Sequence, residues 1–122
     1  MRIWENNFFY VEQEENLLPW VKIFTKKPYK ELSEMPQSEF LELWRVYLVV
    51  ERVMQECFSP DKINMASFGN MLPHVHLHVI ARFIDDEYFP NSVWGEKLRE
   101  NNMPPLAFEP FFEQLATRLD AL

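Results

Sequence analysis

The sequence predicts a mixed helix-and-sheet fold in which one long amphipathic helix lies on a sheet. Three observations carry that expectation. His74-Val-His76-Leu-His78-Val-Ile80 alternates strictly and is rich in β-branched residues, the pattern of a half-buried strand. From about Glu34 to Phe58, Phe40, Leu43, Tyr47, Val50, Met54 and Cys57 recur at helical spacing. Phe111, Phe112, Leu115, Ala116 and Leu119 mark a second, shorter amphipathic helix near the C-terminal end.

Composition bounds what such a chain does. Its 122 residues suit one domain, 1–122, and no linker divides it. Hydrophobic residues make up 48%, enough for a real core, to which 11 Phe, 4 Trp and 4 Tyr contribute much of the area. No apolar run approaches the roughly 20 residues of a membrane helix, and Met1-Arg-Ile-Trp-Glu-Asn lacks the pattern of a secretory signal. A cytoplasmic protein is therefore expected, with no membrane partner. Cys57 is the only cysteine, which excludes an internal disulfide and a cysteine-based zinc site. A net charge of −7 argues against phosphate-driven binding to long nucleic acids, but not against a small anion in a local pocket.

In chain order, Phe8–Val11 reads as a first strand, Glu12–Asn16 as a polar turn and Leu17–Phe24 as a second strand, together a hairpin. Pro19 implies either an edge position or a strand that begins at Trp20. Lys26 and Lys27 follow; they either face a phosphate or are simply solvated. Ser33 is a plausible N-cap for the long helix, with Pro36 tolerated in its first turn. Trp44, Leu48 and Phe58 widen the apolar stripe, and Cys57 reads as a small buried hydrophobe. Pro60 disfavours helical geometry at Ser59 and stops the helix. Lys62–Phe68 is a third strand, Gly69–Pro73 a tight loop and His74–Ile84 the fourth strand. Asp85-Asp-Glu87 reads as a solvated acidic turn. Tyr88–Pro105 is irregular, and Pro110 suits the first turn of the last helix.

The chemistry concentrates at residues 69–78. All three histidines lie within five residues, and side chains alternate faces along a strand, so His74, His76 and His78 are expected to share one face. Imidazoles two residues apart stand about 6–7 Å apart, close enough for two to share a metal. A straight strand cannot wrap a small ion, so further ligands would have to be carboxylates. Alternatively, a neutral imidazole whose other nitrogen is held by a backbone carbonyl can attack phosphorus, while a neighbour donates to phosphoryl oxygens. A purely structural row of histidines is the third reading. Gly69, one of two glycines, serves either a turn with positive φ or close approach to a ligand.

His74-Val-His76-Leu-His78-Val-Ile80 resembles the signature of the histidine triad (HIT) superfamily, His-φ-His-φ-His-φ-φ with φ hydrophobic, at every position. Asn64 upstream, Gly69-Asn70 before the first histidine, Arg82 after the last, and Val93-Trp94-Gly95 extend the likeness over about residues 8–95, toward a bacterial branch of HIT hydrolases. The resemblance implies an α+β fold: an antiparallel sheet of about five strands with one long helix and a C-terminal helix, commonly a homodimer. It implies attack on the α-phosphate of a small nucleotide, a dinucleoside polyphosphate or nucleoside phosphoramidate, by hydrolysis or nucleotidyl transfer, with no cofactor. His76 would be the nucleophile, forming a nucleotidyl-histidine intermediate. His78 would contact phosphoryl oxygen, and His74 would orient His76 chiefly through its backbone. Asn64, Gly69 and Asn70 would bind the nucleotide. Two positions depart from the family pattern. Trp20 stands where many members carry a further histidine, and Met71 replaces a hydroxyl residue near the leaving group. Loss of such a donor costs roughly 10–10³ in rate and leaves a catalytically weak nucleotide-binding or interaction protein as the alternative.

Overall fold

A computed structural model describes residues 1–122. Five strands, β1 (Arg2–Glu5), β2 (Phe9–Gln13), β3 (Trp20–Thr25), β4 (Lys62–Ala66) and β5 (His76–Arg82), form one antiparallel sheet in the order β1-β2-β3-β5-β4. Two helices, α1 (Gln37–Phe58) and α2 (Phe108–Asp120), complete the α+β fold. Val11, Val21, Ile23, Leu77, Val79 and Ala81 turn to one sheet face and meet Leu43, Val46, Val50, Val53 and Met54 of α1 in a single core. Phe111, Leu115 and Leu119 of α2 join the same cluster. Several of these side chains are completely buried, each contributing about 1.5–3 kcal/mol from removal of apolar surface from water.

The hairpin is β2–β3, with Tyr10 opposite Phe24 and Glu12 opposite Lys22. Pro19 does not mark an edge. Strand β3 lies in the sheet interior and starts at Trp20, where the absence of a proline N–H no longer matters; the Pro19 carbonyl still accepts from the Ala81 N–H at 2.9 Å. Strand β1 is the one strand the residue patterns did not suggest. It is four residues long and exists by pairing with β2 across an Asn6 turn, whose Oδ1 accepts from the N–H groups of Phe8 and Phe9 at 2.9 and 2.8 Å.

The long helix starts later than Ser33 suggests. Met35 precedes a proline and is extended (φ −75°, ψ 137°), which breaks the chain into a one-turn 3-10 helix, Leu32–Glu34, and then α1. Glu31 and Glu34 cap the short turn, and Pro36 rather than Ser33 occupies the N-cap of α1. The buried stripe is also rotated from the one expected. Val46 and Val53 are wholly enclosed, whereas Trp44 and Leu48 are exposed and Cys57 is half-buried, its Sγ 3.3 Å from Gln114 Oε1. At its far end Ser59 takes a left-handed conformation (φ 46°), its N–H bonding back to the Gln55 carbonyl at 3.0 Å, and Pro60 follows.

The opposite sheet face carries Lys22, Phe24, His76, His78 and Ile80. Half of it is covered. A second, smaller cluster of Leu18, Trp20 and Ile80 packs there beneath Phe83, Val93 and Met103 of the irregular segment 83–107. The other half is open, and the site lies at the boundary. No helix is long and apolar enough to cross a membrane.

Candidate active site

Strand β5 begins at His76 and carries His76 and His78 on the open face. His74 lies just before it, where Thr25 N–H bonds to Val75 O at 3.4 Å and Val75 N–H to Tyr29 O at 2.8 Å. Its ring meets Phe24 of that same face edge-on, 6.0 Å between centroids. His74 Nε2 lies 2.6 Å from the Thr25 carbonyl and 3.1 Å from Thr25 Oγ1. A carbonyl only accepts, so Nε2 carries the proton and the ring is pinned.

That pinned residue orients the next. The His74 carbonyl accepts from His76 Nδ1 at 2.8 Å. His76 therefore holds its proton on Nδ1 and leaves Nε2 with a free lone pair. His78 is set the opposite way. The indole Nε1–H of Trp20 donates to His78 Nδ1 at 3.1 Å, so neutral His78 carries its proton on Nε2. Burial, the neighbouring His76 ring and the charge of Lys22 push the His78 pKa down to about 4. One ring thus offers a lone pair and its neighbour an N–H, with centroids 5.1 Å apart.

Both rings line a cleft of about 540 Å³ with Lys22, Phe24, Phe68, Trp94 and the loop Gly69–Leu72. Gly69 adopts φ 69°, a conformation that strains any residue with a Cβ. Asn70 lines the cleft beside it, and Met71, at the mouth, is fully exposed. Trp94 meets His78, Trp20 and Phe68 edge-on at 5.1, 5.4 and 4.9 Å between centroids. Phe24 instead lies parallel to His76, 4.9 Å away. Asn64 does not line the cleft; its Oδ1 accepts from Arg82 Nη1 at 2.8 Å.

The lysine at the site is not one of the pair singled out from sequence. Lys26 bonds Glu5 at 2.6 Å and Lys27 bonds Glu39 at 3.3 Å, and neither lines the cleft. Lys22, directly opposite His78 in the β3–β5 register, is the cleft lysine, neutralised by Glu12 and Glu14 at 3.5 and 3.2 Å. Only the strand register reveals it. Trp20, which stands where many family members carry a further histidine, has a role that the sequence does not reveal: its indole N–H fixes the tautomer of His78.

The acidic turn 85–87 is not simply solvated. Asp86 is 2% exposed and closes a knot with the equally buried Arg82 at 2.9 Å. Burial alone would raise the Asp86 carboxyl, but the Arg82 guanidinium and the N–H groups of Phe83, Tyr88 and Phe89 outweigh it and hold the pKa below the usual range. Arg82 also donates to Asn91 O at 2.7 Å, and Arg99 to Phe89 O at 2.8 Å. These bonds fix the irregular segment and, through it, Trp94. No three His, Cys, Asp or Glu side chains converge to hold a metal ion.

A sheet that presents an oriented imidazole pair beside a glycine loop is the arrangement of the histidine triad class. Residues 13–85 match the model of the HIT domain, and the chain belongs to this family. A histidine triad protein from Marinobacter aquaeolei is 28% identical, with a TM-score of 0.79 over 100% of this chain and 90% of that one. Another, from Bradyrhizobium japonicum, is 25% identical with a TM-score of 0.80, covering 98% of this chain and 90% of that one. A histidine triad protein from Sinorhizobium meliloti, at 24% identity and a TM-score of 0.73, shares the fold over 99% of this chain and 87% of its own. No curated protein matches the chain. The family includes nucleotide hydrolases and transferases as well as members without activity.

Proposed function

We propose that this protein is a nucleotide hydrolase or nucleotidyl transferase that attacks the α-phosphate of a small nucleotide, of the dinucleoside polyphosphate or nucleoside phosphoramidate class, through a covalent intermediate on His76. The observation that carries the reading is the 2.8 Å bond from His76 Nδ1–H to the His74 carbonyl, which leaves Nε2 bare in a ring lining the cleft. That lone pair attacks phosphorus, and the bond from phosphorus to the leaving oxygen or nitrogen breaks. The Nε2–H of His78, kept there by Trp20, donates to a phosphoryl oxygen as negative charge develops. Gly69 and Asn70 supply the phosphate loop. Asn64 stands outside the cleft lining with its Oδ1 committed to Arg82, so any part it takes in binding the nucleotide falls to its amide NH₂. Water then attacks phosphorus and loses a proton to solvent, and the electron pair of the breaking bond returns to Nε2.

Incubation with a panel of dinucleoside polyphosphates and adenosine phosphoramidates, with and without chelator, tests this reading. Hydrolysis that survives chelator, with a rapidly quenched adduct on His76 heavier by one nucleoside monophosphate less water, is the expected result. Tight nucleotide binding without product would favour the second reading, a binding protein with negligible turnover. One observation speaks for that alternative: no hydroxyl side chain lines the cleft, and Met71 occupies the loop position expected to carry one. Pairing with a second copy is part of the proposal, and exposed Leu41, Trp44, Leu48 and Met65 offer it an apolar surface. Sedimentation at micromolar concentration checks that.

A further inference from the structure

His76 and His78 meet their aromatic neighbours in different ways, and the difference matters for charge. Trp20 and Trp94 approach His78 at 69° and 79° between planes. Phe24 lies almost flat on His76, at 15° and 4.9 Å between centroids. Tyr10, its cross-strand partner on β2, lies flat on Phe24 in turn, at 6° and 4.8 Å. Phe24 is 5% exposed and held between these two rings, so its face cannot turn away.

The face of a phenyl ring carries negative quadrupole density. A neutral imidazole laid on it gains little beyond dispersion, whereas a positively charged ring is attracted. His76 keeps its Nδ1 proton against the His74 carbonyl. When Nε2 bonds to phosphorus, the ring therefore acquires a full positive charge, while the electron pair of the broken bond leaves with the departing group. We infer that Phe24 stabilises this charge and so speeds formation of the nucleotidyl-imidazolium. The inference rests on the covalent reading above. The only other cation near the same ring is Lys22, its Nζ 5.7 Å from the centroid, and that charge is answered by Glu12 and Glu14. In the second half of the reaction, water attacks phosphorus and gives up a proton to solvent, the Nε2–P bond breaks toward nitrogen, and His76 returns to a neutral ring on Phe24.

The test replaces Phe24 with phenylalanines bearing one, two and three ring fluorines, which keep the shape and progressively remove the quadrupole. Phe24→Leu is made alongside. Single-turnover formation of the His76 adduct from adenosine 5′-phosphoramidate is followed by rapid quench and intact-mass spectrometry. The rate is expected to fall stepwise with fluorination, by roughly 3–30-fold at three fluorines. Equal rates across the fluorinated series would overturn the inference even if Phe24→Leu were slow, because a packing defect alone explains that. Absence of any adduct in the unmodified protein would instead overturn the covalent reading, and the inference with it.

Discussion

Acidification should destabilise this fold through one ring, His78. Its pKa is pushed from 6.5 down to about 4 by burial, by the His76 ring and by Lys22, with Glu14 opposing weakly. Protonation would also place an N–H on Nδ1 directly against the Trp20 indole N–H, 3.1 Å away. Above pH 6.5 the ring is neutral in both the folded and unfolded chains, and it contributes no pH dependence. Between pH 6.5 and 4 the unfolded chain takes up the proton and the folded one does not, so stability falls as pH falls. Below about 4 both are protonated and the effect levels off. The gap sets a ceiling of roughly 3 kcal/mol, and water reaching the partly accessible ring reduces it to about 1–2 kcal/mol. For a chain of this size that is a loss of about 4–8 °C in Tm. Carboxylates titrate in the same window, so the assay is comparative: thermal unfolding of the wild type and of His78→Gln from pH 8 to 4.5. The wild type should lose that much more than the variant. Parallel pH profiles, or His78 ring protons that titrate near 6.5 by NMR, would refute the reasoning.

Further expectations follow from the same geometry. His76→Asn should abolish adduct and turnover while nucleotide affinity, measured by calorimetry, stays within about tenfold; a collapse of affinity would make His76 chiefly a binding residue. Arg82→Ala should cost about 3–5 kcal/mol in urea unfolding, because it strands Asp86 as a buried charge. Gly69→Ala should cost about 1–2 kcal/mol from its positive φ, since the added Cβ meets nothing nearer than the Leu72 carbonyl at 3.5 Å. Urea unfolding measures it, and an unchanged midpoint would mean the loop relaxes.

Local pattern made much of this fold legible, and what it hid depended on register. The β5 alternation, the hairpin and the α1 periodicity are properties of neighbouring residues, and each appears close to its expected place. The start of α1 was misplaced because Ser33 looks like a cap, whereas the proline at 36 constrains Met35 and overrides it. Strand β1 was missed because four residues carry too little alternation; the Asn6 side chain, bonding two N–H groups ahead, is the signal a closer reading would use. His74 counted as a strand residue because nothing local reveals the bonds from its ring to Thr25. Lys22 and Phe24 could not be assigned to the site at all until β3 was aligned with β5, which sets them opposite His78 and His76. Asp86 reads as part of an acidic run because the groups that pair with it and with Arg82 are distributed along residues 64–99.

The small Leu18–Trp20–Ile80 cluster shares no members with the main core, and the sheet separates the two. Phe83 alone packs against both. Segment 83–107 is held on the open face by its own apolar anchor and by the Arg82–Asp86 pair, and Trp94 within it stands edge-on to His78. Whatever loosens that anchor would open the His78 ring to water and let its pKa rise back toward the ordinary value.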